Sequence, residues 1–142
     1  MPSEFIEYRS GYKYQLASDF NIQISIKPDD DIDNQFIALD KLGNLRVKSG
    51  YAWDGTSGPV VDTNRNLRAS LVHDALYQLM RKKAISAAKF KDKADRLFKK
   101  LCKEDGVSPA IAQVYYEALK ALGRPATDPK NAKEIKRAPN MQ

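Results

Sequence analysis

Two apolar stripes of helical period, separated by a short break, leave the second half of this chain little choice. Leu67, Leu71, Val72, Leu76 and Leu79 recur at the spacing of one helix face, and Phe90, Ala94, Leu97, Phe98 and Leu101 do the same further on. Residues 83–86 lie between them. Helices joined so closely bury both stripes by folding back on each other as an antiparallel hairpin. The spacing predicts a first helix capped by Thr63 or Asn64 and running to about Lys82, and a second over residues 87–104, ended by Gly106. Ser108 as cap and Pro109 in the first turn then start a third, with Ile111, Val114, Tyr115, Ala118 and Leu122 at helical spacing.

Residues 4–53 read as β. The segment 22–26, Ile-Gln-Ile-Ser-Ile, alternates apolar and polar, the period of a half-buried strand. Residues 36–39 and 45–47 flank Asp-Lys-Leu-Gly-Asn at 40–44, a hairpin turn in which Gly43 and Asn44 are free to take positive φ. Residues 12–16 add a further strand. The acidic stretch 29–33 reads as a solvated loop, lacking the glycine and distal glutamate of an EF-hand. The expected fold is α+β: a small N-terminal antiparallel sheet, then three helices, with residues 1–123 as one globular domain. The basic, proline-containing tail 124–142 is expected to be extended or disordered unless a partner holds it.

Charge is unevenly spread. Residues 1–64 carry 6 basic and 10 acidic groups, residues 65–123 carry 13 and 6, and the tail carries 5 and 2. The positive charge thus belongs to the helical half and the tail. It fits an anionic lipid surface, nucleic acid or an acidic protein, although a solvated Lys-rich helix face would look the same. Nucleic acid is the least favoured partner, for want of a recognised motif. One cysteine, Cys102, excludes an internal disulfide. No apolar run approaches a membrane span and the N-terminus lacks a signal-peptide pattern.

His73 is the single histidine, so a general base working near neutral pH has one obvious candidate. It lies 11 residues before Ala84 and Asp95 lies 11 after it. Eleven residues is close to three helical turns, so an antiparallel hairpin puts both in one seam at one height. Tyr77, at i+4, shares the face of His73. Asp95 would accept from one imidazole nitrogen and leave the other as a base. The alternatives are a satisfied core histidine and an Asp95 paired at the surface with Lys91 or Lys99. Asp74 points about 100° away and can face the small-residue loop 54–63, where carboxylate and carbonyls would suit calcium. Too few histidines and cysteines are present for a structural zinc site or a His-Asp metal phosphohydrolase, and no nucleophile elbow or phosphate-binding glycine loop occurs.

Two resemblances meet here. Trp-Asp-Gly-Thr-Ser-Gly-Pro at 53–59, Arg-Ala-Ser-Leu-Val-His-Asp-Ala-Leu-Tyr at 68–77 and Lys-Ala-Asp-Arg-Leu-Phe at 93–98 resemble DUF1353, a phage and prophage family of unknown function, over roughly residues 12–123. That resemblance implies a phage product in a virion or host cytoplasm, with phage structural proteins as partners and Trp53 and Ser57 as further candidate residues. Residues 53–98 also resemble the short phospholipases A2, with a glycine-containing loop, a His-Asp-x-x-Tyr helix and an Asp on the next helix. This implies that His73 activates water, Asp95 and Tyr77 orient it, and Asp74 binds Ca2+ with Asp54 and Gly55 in the metal loop. The loop departs from the usual glycine-rich form and no disulfides brace it. A non-catalytic virion or assembly component is the rival expectation.

Overall fold

The computed structural model describes residue 6 and residues 8–9, 14–55, 63–122 and 127. They divide into two compact units, one ending at Asp54 and one beginning at Gly55. The tail 128–142, and with it the expectation of an extended or docked segment, lies outside the described residues.

The first unit is antiparallel β. One sheet orders β1 (Tyr8–Arg9), β2 (Tyr14–Leu16) and β7 (Ala52–Trp53) as β1-β2-β7. The other orders β3 (Phe20–Gln23), β4 (Ile32–Asp33), β5 (Ile37–Leu39) and β6 (Asn44–Val47) as β3-β6-β5-β4. The period-2 pattern is realised in β6, where Leu45 and Val47 are buried while Asn44 and Arg46 are exposed. Phe20 and Ile37 both stand opposite Val47, and Leu39 stands opposite Leu45, so these apolar residues share one face. Ladder pairing of β3 ends at Gln23, but Ile24 and Ile26 stay buried as the alternation requires.

The β5–β6 turn falls where Gly43 predicts it. Asp40 Oδ1 accepts from the backbone N–H of Leu42 and of Asn44, each at 2.9 Å. Gly43 alone of the turn takes positive φ, at 87°. Asn44, which was equally free to do so, instead opens β6 and donates its amide to Asp40 Oδ2 at 3.0 Å. In the acidic stretch, Asp31 accepts from Lys41 N and Asp33 pairs with Lys48 Nζ at 2.6 Å.

The second unit holds α1 (Leu67–Arg81), α2 (Ala87–Glu104) and α3 (Pro109–Leu122). α1 and α2 form the expected hairpin, with Lys83 in left-handed conformation at φ 62° in its turn. Ser86 caps α2, its Oγ accepting from Lys89 N at 3.1 Å, and Ser108 caps α3, accepting from Ile111 N at 3.3 Å. α1 starts later than Thr63 or Asn64 as cap would require. Asn66 holds the cap position but accepts from Thr63 N at 2.9 Å, so its carboxamide oxygen is turned back into the preceding turn.

α3 corrects the expected packing face. Among the residues whose burial is described, Ala112, Tyr116 and Leu119 are the buried ones, whereas Ile111 and Val114 are 46% and 60% exposed. Apolar residues cover more than half of this helix, so periodicity alone does not choose the edge that turns inward. Polar contacts with α2 choose it: Tyr116 donates its hydroxyl to Asp92, and Gln113 Oε1 accepts from Lys99 Nζ at 2.5 Å. Among the described residues no helix is long and apolar enough to cross a membrane.

A Cβ on Gly43 would sit 2.2 Å from the Ile24 carbonyl oxygen, on a backbone that L-residues rarely adopt. Gly43→Ala is expected to lower unfolding stability by about 1–3 kcal/mol. An unchanged denaturant midpoint would show that the turn relaxes freely.

Candidate functional site

The hairpin brings His73, Tyr77 and Asp95 together as the 11-and-11 spacing requires. His73 Nε2 lies 2.7 Å from Asp95 Oδ1, and the Tyr77 hydroxyl donates to the same oxygen at 2.6 Å. Asp95 is wholly buried and His73 is 7% exposed. The imidazole is held between aromatic rings, with centroids 4.0 Å from Tyr77 and 5.3 Å, edge-on, from Phe98.

A fourth residue completes the group. Lys91, one turn before Asp95 on α2, donates Nζ to Asp95 Oδ2 at 2.7 Å and to the Leu119 carbonyl at 3.1 Å. Leu119 lies in the last turn of α3, where carbonyls have no helical partner and a cation is favourable. The Lys91–Asp95 pair therefore exists, but in the interior rather than at the surface. Lys99, the other candidate, engages Gln113 instead. The i, i+4 spacing of Lys91 was legible in the sequence. Its depth was not, because that depends on α3 closing over it.

The electrostatics define the states of Asp95 and Tyr77. Burial pushes the Asp95 carboxyl upward, but hydrogen bonds and charge from His73, Lys91 and Tyr77 outweigh it and hold the group below its usual value. An ionised carboxylate only accepts, so His73 Nε2, the nitrogen that faces it, is the donor of this hydrogen bond. Nδ1 has no hydrogen-bond partner among the described residues. Burial, reinforced by anionic Asp95, raises the Tyr77 hydroxyl well above the phenol range and keeps it a donor.

Of the residues expected to join this group through an ion, Asp74 is the one α1 residue that is not buried. Gly55 has φ 86° at the start of the second unit. Asp54 is exposed at the end of the β unit. Trp53 belongs to the β core, with its ring 5.4 Å from Tyr14 and 6.4 Å from Tyr51. Ser57 and the loop 56–62 lie outside the described residues. Among those described, no three His, Cys, Asp or Glu side chains are grouped to hold a metal. Cys102 is buried, which pushes its thiol up to about 12 and removes it as a nucleophile.

A second ionic cluster, not anticipated from the sequence, joins the start of α1 to the end of α2. Arg68, 4% exposed, donates Nε and Nη2 to Asp105 at 3.0 Å each and Nη2 to Glu104 at 2.9 Å. Burial disfavours its charge, but Asp105 and Glu104 more than restore it.

The molecule is thus an α+β protein whose helical hairpin buries a His–Asp–Tyr–Lys group. Residues 31–119 match the family model DUF1353, a protein of unknown function, and the chain belongs to that family. No curated protein and no solved structure matches it.

Replacing Asp95 by Ala would strand the Lys91 cation and two buried donors, for an expected loss of about 3–5 kcal/mol in denaturant unfolding. The folded-state pKa of Asp95 lies below 3.8, so its contribution is full above that value and fades as pH falls through the folded pKa. The stability gap between wild type and Asp95→Asn should therefore shrink on acidification below about pH 4. A gap that stays constant from neutrality to about pH 2 would contradict an ionised Asp95.

Proposed function

We propose that this chain is a phage- or prophage-encoded hydrolase of lipid carboxylic esters, with His73 as its general base. The observation that carries the reading is geometric: His73 Nε2 is held 2.7 Å from buried Asp95, and Nδ1 has no hydrogen-bond partner among the described residues. Nδ1 takes a proton from water as the oxygen attacks the ester carbonyl. The resulting imidazolium is stabilised by Asp95 and kept in orientation by Tyr77 and Phe98. It then returns the proton to the leaving alkoxide, so ester and water give acid and alcohol with no net proton change.

Calcium belongs to this proposal through Asp74 and Gly55, and when bound would polarise the ester carbonyl. Its donor set is incomplete among the described residues, so the remaining ligands would be carbonyls of residues 56–62. The steps above use the chain's own groups.

One observation favours a second reading. Asp95 is wholly buried and both its oxygens are engaged, by Lys91 as well as by His73 and Tyr77. That is also what a polar clasp between helices requires, and a clasp would serve a non-catalytic virion or assembly component that contacts phage structural proteins.

The deciding experiment is hydrolysis of phosphatidylglycerol vesicles with millimolar calcium and with chelator. The base reading expects His73→Gln to lose about 10²–10⁴-fold in rate while remaining folded by circular dichroism. Equal rates for the two proteins, or no hydrolysis by either, would sink it. A variant altered in stability alone would leave the clasp.

A further inference from the structure

The outward face of α2 is a continuous line of positive charge. Lys89, Lys93, Arg96, Lys100 and Lys103 are all exposed and follow one another at steps of four, three, four and three residues. At 100° per residue they fall within an arc of about 80°, and at 1.5 Å per residue they span about 21 Å.

The acidic side chains of α2 offset only part of this line, at Arg96 and Lys100. Asp95 faces inward to His73 and Lys91. Asp92 takes Arg96 Nε at 2.7 Å and the Tyr116 hydroxyl. Glu104 holds Arg68 at 2.9 Å and stands 3.9 Å from Lys100. Lys89, Lys93 and Lys103 have no carboxylate of the described residues within ion-pair distance, and the Nζ atoms of Lys89 and Lys93 stand over the Phe90 ring at 5.3 and 5.9 Å from its centroid.

The arrangement is unfavourable for the helix itself. Like charges at i, i+4 repel, and Lys89 sits in a first turn that has no acidic residue to suit the helix dipole. A solvated surface helix would gain by alternating the signs.

We infer that this face binds the phosphodiester backbone of a nucleic acid without reading its sequence. Three observations favour that partner over a membrane. The line is one-dimensional, because Asp92 and Glu104 border it on either side, so a flat anionic surface would meet those carboxylates too. It carries no large exposed apolar residue, and interfacial helices need an apolar face to bury. Its length matches about six phosphates of one strand at 3.4 Å each. The inference does not depend on the proposed hydrolysis, since none of these five residues touches His73.

The test is fluorescence anisotropy with a labelled duplex of about 20 base pairs, using the full chain across 25–200 mM NaCl. Four phosphate contacts predict a slope of about −3.6 in log Kobs against log salt. The variant K89Q/K93Q/K100Q/K103Q relieves repulsion and is expected to stay folded, yet to bind at least ten-fold more weakly at low salt with a much flatter slope. Absence of duplex binding at 25 mM salt would overturn the inference, as would equal binding by the variant. Binding to phosphatidylglycerol vesicles but not to duplex would assign the face to lipid and overturn it too.

Discussion

The helical unit is organised around one buried anion. Removing the Asp95 carboxylate from water costs several kcal/mol, and α1 and α2 have to return that through donors placed at the right height. His73 and Tyr77 supply two from successive turns of α1, and Lys91 supplies the third from one turn earlier on α2. Sliding α1 against α2 by one turn would move both α1 donors about 5 Å from their acceptor and leave the charge stranded. Apolar stripes tolerate such a slide better, because one Leu–Leu contact resembles the next. The carboxylate therefore acts on register more than on net stability. Lys91 extends its reach to α3, because the same ammonium that satisfies Asp95 also closes the Leu119 carbonyl.

Arg68 sets the same seam at its other end. Its bidentate hold on Asp105 joins the first turn of α1 to the residue that ends α2. Between the two polar clusters, Leu71, Val72, Leu97, Phe98 and Leu101 are buried. The layout divides the labour: apolar burial drives the helices together, and two geometrically demanding ionic groups fix how they meet.

The sequence made visible what depends on local periodicity and on distance from a turn. The bounds of α2 and α3, the Ser108 cap, the Gly43 turn and the meeting of His73, Tyr77 and Asp95 all follow from spacing. The failures share a different cause. Asn66 displaced the expected caps because its side chain turns backward to Thr63, a choice between two local hydrogen bonds that residue type does not decide. The inward face of α3 was misjudged because the helix is apolar over a broad arc, and Asp92 and Lys99 on its neighbour select the edge. Lys91 stood only as an alternative surface partner of Asp95, because the depth of that pair depends on a third helix. Arg68 escaped because a long side chain spans a height difference that equidistance from the turn excludes.

One consequence of these assignments reaches the surface. α2 has ten charged residues, of which Asp92, Asp95 and Glu104 are the acids. Each of the three is drawn to a neighbouring helix: Asp95 to α1, Asp92 to Tyr116 of α3, and Glu104 to Arg68 of α1. Packing has thus drawn the acids of α2 towards its interfaces and left the outer face with an excess of positive charge, only Arg96 and Lys100 there having an α2 carboxylate nearby. The buried group at His73 and the basic face of α2 are two results of one distribution. A helix that holds its neighbours through carboxylates, in a segment this rich in lysine, presents cations to whatever lies outside.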